Sequence, residues 1–243
     1  MNDAASRDVV LSASGLSFEV DGVRIVSDVN LEVAQGQMLG LVGPRHGGKT
    51  TLLHLCLGRL KPTAGRILVF GAPPERLGER RAWIGYAPQR PFRDYPPQTP
   101  ALDFVIEGAL PPGDVRRRPP DLLERAAAAL EWAEIPRLAD RPIGGLDAVR
   151  FWRVRLARAL VNRPRFVILD DLGAGLMAHE RLSLLKRVAR MKEELDLTAL
   201  LITRDIAPVQ DIVSELVCLN TTVQYRGSPS FISRDALMRM YTR

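Results

Sequence analysis

The chain is poor in cysteine and aromatic residues and has no long apolar run. Each shortage removes a class of function. Cys56 and Cys218 are its two cysteines. They show no metal-ligand spacing, which argues against a disulfide framework or a zinc site and reads as small core residues of a reduced, cytoplasmic protein. No apolar stretch approaches the ~20 residues of a membrane-spanning helix. The leader Met1-Asn2-Asp3-Ala4-Ala5-Ser6-Arg7-Asp8 is polar, without the apolar region of a signal peptide. Aromatic residues make up 6% of the chain, and no basic run is interleaved with them despite a net charge of +6. Nucleic acid is therefore not an expected partner. The run Arg116-Arg117-Arg118 reads as a solvated face that also favours an anionic inner leaflet. Internal repeats and low-complexity segments are missing too.

What remains is ordinary globular composition, 46% hydrophobic and 26% charged over 243 residues. That suits one α/β domain, or a core carrying an inserted subdomain. Its most informative stretch is Gly43-Pro44-Arg45-His46-Gly47-Gly48-Lys49-Thr50, which fits G-x-x-x-x-G-K-[ST]. The apolar run Met38 to Val42 leads in as a buried strand, and Thr51 to Leu57 leaves with helical spacing. Backbone N–H groups of this Gly-rich turn, with the positive end of the following helix, predict a cradle for phosphates over Gly43 to Thr51. Lys49 is placed to reach the β- and γ-phosphates, and the Thr50 hydroxyl to ligate Mg²⁺. Downstream, the apolar strand Phe166-Val167-Ile168-Leu169 ends in Asp170-Asp171. The first carboxylate is suited to organising Mg²⁺ and the second to orienting or deprotonating water.

Residues 9 to 33 read as short β runs, Val9 to Leu11, Leu16 to Val20, Val23 to Val26 and Val29 to Val33, with turn signals at Asp21-Gly22 and Gln35-Gly36. Further strands are expected over Arg66 to Phe70 and Trp83 to Tyr86. From about residue 90 to 160 a Pro-rich loop and helix-forming blocks such as Leu122 to Leu130 predict an inserted helical subdomain. The α/β pattern then resumes, with a helix over His179 to Leu195, a strand over Leu200 to Thr203, a short helix, and a strand over Leu216 to Leu219.

In this order the elements resemble the ATP-binding subunit of ABC transporters over nearly the whole chain. The P-loop resembles Walker A, and Tyr86-Ala87-Pro88-Gln89 the Q-loop. Ile143 through Leu160 resembles the signature helix, and Phe166 to Asp171 Walker B. The stretches Ile84 to Phe92 and Val217-Cys218-Leu219-Asn220 look like the zinc/manganese importer branch. The resemblance implies a P-loop nucleoside-triphosphate hydrolase fold with an N-terminal antiparallel β subdomain. It divides the chain into a core at 1–89 and 161–243 and a helical subdomain at 90–160. It implies ATP and Mg²⁺ as cofactors, with Thr50, Gln89 and Asp170 at the metal. The partners it implies are membrane permease subunits and a second ATP-binding subunit, in a homodimer or heterodimer at the inner face of the cell membrane.

Four departures bear on turnover. Leu146-Asp147-Ala148-Val149-Arg150 stands where the family carries L-S-G-G-Q, whose Ser and Gly clamp the γ-phosphate held by the opposite subunit. Asp147 keeps the capacity to cap the helix. It also sets a carboxylate against a triphosphate: unit charges ~4 Å apart at an effective dielectric of ~20 repel by ~4 kcal/mol. Arg150, one turn away, is placed to relieve part of this. Asp171 replaces the family's Glu and is shorter by one methylene, ~1.5 Å, where catalytic groups need placement within ~0.5 Å. Arg204 replaces the family's histidine and does not exchange protons at neutral pH. His46, His54 and His179 are the only histidines, so none serves there. Met177 replaces the D-loop Asp.

Nucleotide binding is less affected. His46 takes a glycine position that can require positive φ, which His tolerates better than most residues. Val20 falls where the family has an aromatic against adenine. Phe18 is a possible substitute but reads rather as core, and Trp83, Trp132 and Trp152 read as core or interface. Asp171, Gln89 and Arg204 are the catalytic candidates, and Gly43 to Thr51 with Asp147 the nucleotide-binding ones. The expectation is an ATP-binding subunit with weak or absent hydrolysis. The alternatives are an active transport ATPase using Asp171 as a slower base, and a P-loop regulator without a permease.

Overall fold

A computed structural model describes residues 8–89, 95–110 and 119–241. The expectations placed on Met1 to Arg7, on Arg90-Pro91-Phe92 and on Arg116-Arg117-Arg118 fall outside the described residues. Along the chain come β1 (Val9–Val20), β2 (Val23–Ala34), β3 (Met38–Val42), α1 (Lys49–Cys56) and β4 (Ala64–Val69). Then follow β5 (Ile84–Ala87), α2 (Ala101–Ile106), α3 (Leu122–Trp132), α4 (Ala148–Leu160), β6 (Phe166–Asp170) and α5 (Ala178–Glu194). Last are β7 (Thr198–Thr203), β8 (Glu215–Asn220), β9 (Thr222–Gly227) and α6 (Arg234–Tyr241). The chain divides into two compact units, Met1–Arg81 with Leu197–Arg243, and Ala82–Asp196.

In the first unit, β2-β1-β4 form an antiparallel sheet. The short β runs expected from sequence fuse into two long strands. The polar breaks between them are bulges rather than turns: Gly15 and Asp28 adopt φ of 57° and 49°, and the β1–β2 register shifts between Ala13 and Leu16. Asp21-Gly22 is the true hairpin turn, with both residues at positive φ as a two-residue loop prefers. Leu11, Leu16, Val29, Leu31 and Val33 bury one face almost completely.

The same unit holds β7-β3-β8 in parallel, with β9 antiparallel at the edge. Every residue of β3 is buried, the pattern of a parallel strand covered on both faces. The helix expected between β7 and β8 is absent. Residues after Thr203 form turns in which the Ile206 carbonyl accepts from both Val209 and Gln210 N–H, and Pro208 has no N–H to continue a helix. β9 and α6 were not legible: β9 is half-exposed with little alternation, and α6 is short.

In the second unit β5 and β6 are parallel, Ile84 opposite Phe166 and Tyr86 opposite Ile168. Helices α2, α3 and α4 pack on one another around Phe104, Ala126, Ala129, Val154 and Leu156, all buried. Arg187 fastens α5 to the end of α3: its Nε donates to the Trp132 carbonyl at 2.8 Å, and its Nη atoms fork onto Glu194 at 3.0 Å.

Candidate functional site

The turn after β3 is shaped by what cannot have a side chain. A Cβ on Gly43 would collide with the Leu219 carbonyl oxygen. Gly48 sits at φ 91°, and its Cβ would lie 2.6 Å from the Ile25 carbonyl oxygen. Only glycine fits both constraints. His46 takes φ 62°, so the residue replacing a glycine does carry left-handed backbone there. Arg45, His46 and Thr50 are exposed, and Pro44 and Thr51 half-buried. Gly47 is fixed on both sides, its N–H donating to Pro44 O at 3.2 Å and its carbonyl accepting from Thr221 N–H at 3.1 Å.

No side chain caps α1, and its first turn holds no acidic residue. Its amide groups and the positive end of its dipole therefore face the loop without a competing anion of their own. Lys49 Nζ donates to the carbonyls of Gly43 and Pro44, each at 2.7 Å. The ammonium is thus held at the loop by weak neutral acceptors that an anionic group would outcompete. The cradle fits phosphate. Arg204 belongs to the same unit: Thr203 pairs in register with Val42, which puts Arg204 beside the entry to the loop. Its carbonyl accepts from the Tyr241 hydroxyl at 3.1 Å.

Phe18 is not in the core as expected. It is half-buried and, with Arg24, Val26 and Thr63, lines a cleft of about 520 Å³. The reason is its position near the β1–β2 hairpin tip, where the sheet runs out of covering layers; Val20 is 46% exposed. Trp152 is buried, and Trp83 and Trp132 are half-buried.

The second unit gathers the carboxylates. Asp171 leaves β6 in left-handed backbone, φ 52°, and is only 9% exposed. Its Oδ2 accepts from Gln89 Nε2 at 2.7 Å, and its Oδ1 lies 3.6 Å from Arg181 Nη2. Gln89 and Asp171 therefore meet, as their candidate roles require, but with the amide donating to the carboxylate. Arg181 was missed by sequence reasoning. Its only sequence mark is a place in the first turns of α5, and its stem is carried past Gly173, where a Cβ would come 2.8 Å from Arg181 Cγ. Asp170 is half-buried beside Asp171. The oxygen donors offered by Thr50, Gln89 and Asp170 are of the hard type Mg²⁺ prefers.

Asp147 caps α4. Its Oδ1 accepts from Arg150 N–H at 2.8 Å, and its Oδ2 lies 3.2 Å from Arg150 Nη1. The expected pairing with Arg150 is present, and the carboxylate remains 55% exposed. Met177 at the start of α5 offers no polar cap, is 61% exposed, and donates its N–H to Glu180 Oε2 at 2.9 Å.

A family model described as ABC transporter matches residues 26–173. Over 224 residues the chain is 31% identical to the zinc import ATP-binding protein ZnuC of Ruegeria pomeroyi, covering 92% of this chain and 80% of that one. Its fold is similar to that of cbiO1 from Clostridium perfringens, part of the ABC transporter complex cbiONQ. The TM-score is 0.83 with 27% identity, over 96% of this chain and 94% of that one. It is also similar to a dimeric, post-hydrolysis ATP-binding cassette bound to ADP and Pi, with a TM-score of 0.74 and 21% identity over 90% of this chain and 98% of that one.

Proposed function

This chain belongs to the ABC transporter family of ATP-binding proteins, and from that membership we propose a transporter subunit that binds ATP·Mg²⁺ with weak or absent hydrolysis. The observation that carries the binding half is the Lys49 ammonium poised on two loop carbonyls above the glycine cradle. Backbone N–H groups between Gly43 and Thr51, Pro44 excepted, hold the phosphates, and Lys49 exchanges its carbonyl partners for the β- and γ-phosphates. Thr50, Gln89 and Asp170 hold Mg²⁺, which when bound neutralises phosphate charge.

The weak-hydrolysis half rests on the chain's own side chains. Asp171 shares its carboxylate between the Gln89 amide and the Arg181 guanidinium. A base so engaged, and one methylene short, is poorly placed to take a proton from water. Arg204 holds charge but does not shuttle a proton. Asp147 faces the nucleotide of a second ATP-binding subunit with a negative charge.

The core comprises 1–89 and 161–243, and the helical subdomain 90–160. The subunit works as a homodimer or with a sibling subunit, at the inner face of the cell membrane through its permease partners. Among the described residues no helix is long and apolar enough to cross a membrane. The zinc import relative at 31% identity supports a metal ion as cargo.

The test is thermal. Saturating ATP·Mg²⁺ raises Tm, since a hundredfold excess over Kd contributes about 2.7 kcal/mol. Lys49→Ala removes the shift without lowering the Tm of the nucleotide-free protein by a similar amount. A wild-type protein that shows no shift at millimolar ATP contradicts the reading.

A further inference from the structure

Arg181 closes the first turn of α5, its N–H donating to the Met177 carbonyl at 3.0 Å. Its Nη2 lies 3.6 Å from Asp171 Oδ1, and both side chains are 13% exposed. An ion pair so withdrawn from water is screened far less than one at the surface. The turn between the two residues is built around the arginine stem. Asp171 O accepts from Ala174 N–H at 2.9 Å, and Gly173 O from Leu176 N–H at 3.0 Å. Gly173, at φ 74°, leaves open the space that the stem fills, since a Cβ there would lie 2.8 Å from Arg181 Cγ. Trp152 of α4 pins the same turn, its Nε1 donating to the Ala174 carbonyl at 3.4 Å.

Helix α5 does not by itself account for a cation at this place. Positive charge near a helix N-terminus opposes the macrodipole, and withdrawing it from water costs further. The neighbouring carboxylate, Glu180, is turned the other way, its Oε2 accepting from Met177 N–H at 2.9 Å. What the guanidinium meets is Asp171, whose other oxygen accepts from Gln89 Nε2 at 2.7 Å. Both carboxylate oxygens are therefore held, one from each side, on a residue whose backbone is fixed at φ 52°.

We propose that Arg181 is a latch on Asp171, a positioning residue that keeps this carboxylate turned away from an attacking water. The inference rests on the reading of Asp171 as the candidate base. With the latch removed, Asp171 takes a proton from the water whose oxygen bonds to the γ-phosphorus, as the bond from that phosphorus to the bridging oxygen breaks and ADP leaves. Low turnover then comes from a contact within the chain, beyond the missing methylene.

The experiment measures phosphate release and the ATP-induced thermal shift of the full chain under saturating ATP·Mg²⁺. It compares wild type, Arg181→Met, Arg181→Gln, Arg181→Lys, and Arg181→Met combined with Asp171→Asn. The Met and Gln variants release phosphate roughly tenfold faster than wild type, the scale of losing one charge-assisted contact. Lys, which keeps the charge, stays near the wild-type rate. The combined variant falls back to it, which a general loosening of the turn would not produce. A normal ATP shift without a faster rate in Met and Gln overturns this proposal alone. A gain that survives Asp171→Asn overturns it as well, because the latch then does not act through that carboxylate. So does a Lys variant as fast as Met, since charge is then not what holds Asp171. Failure of both Met and Gln to fold contradicts it by making the guanidinium a structural requirement. Wild-type protein without any ATP shift removes the nucleotide reading and this one with it.

Discussion

One methylene separates Asp171 from the Glu that the family resemblance leads one to expect, and its surroundings widen the difference. Two donors from separate elements, Gln89 ahead of α2 and Arg181 on α5, converge on the same carboxylate. The shorter side chain is thereby engaged by its neighbours, in a backbone conformation that few L residues adopt readily. The cysteines show burial acting in a simpler way. Burial pushes the Cys56 thiol from 9.0 up to about 12 and the Cys218 thiol up to about 11. A raised folded-state pKa means that the unfolded chain releases its proton first. The stability this contributes is full below pH 9.0 and is lost as pH rises through the window to about 12. Alkylation of the native protein at about pH 8 should therefore proceed only as fast as the chain opens, because the thiolate is the reactive form. A rapid burst of labelling at both cysteines in folded protein would contradict the burial.

At the scale of elements, helix α4 shows how a functional departure can leave the fold intact. Asp147 accepts the Arg150 N–H as any good N-cap does, so the helix begins where a serine-capped one would. Asp147→Ala should lower stability by about 1 kcal/mol, and Asp147→Ser should be close to neutral, measured by urea denaturation. A full-sized loss with Ser would mean that the exposed Asp147–Arg150 pair, not the cap, holds the helix start. The same scale shows what sequence can and cannot reveal. The P-loop with its flanking strand and helix, β6 and α5 were legible because their signals are local: apolar runs, glycines and helical spacing. The bulges at Gly15 and Asp28 were not, since a polar break in a β pattern looks the same whether the chain turns or kinks. Within the candidate site, Lys49, Thr50, Asp170 and Asp171 were readable from motif spacing. Arg181 on Asp171 was not, because that contact joins segments that only tertiary packing brings together.

For the molecule as a whole, the proposed function makes binding and turnover separable. The proposed phosphate cradle draws on backbone and glycine, and its residues lie within the first unit. The groups that would move protons or sense the second subunit are side chains, and Asp147, Asp171, Met177 and Arg204 alter them in separate places. In a homodimer both composite sites carry all four changes, so neither compensates for the other. A sibling with unaltered motifs would still meet Asp147 in one site and Asp171 with Arg204 in the other.

The most direct measurement is phosphate release by the purified chain under ATP·Mg²⁺ concentrations that fully develop its thermal shift, with Asp171→Asn alongside. The expected result is a saturated ATP shift together with a rate barely above background that Asp171→Asn leaves unchanged. Release of order 1 s⁻¹ or faster, within the usual range for enzymes, that Asp171→Asn abolishes would contradict it.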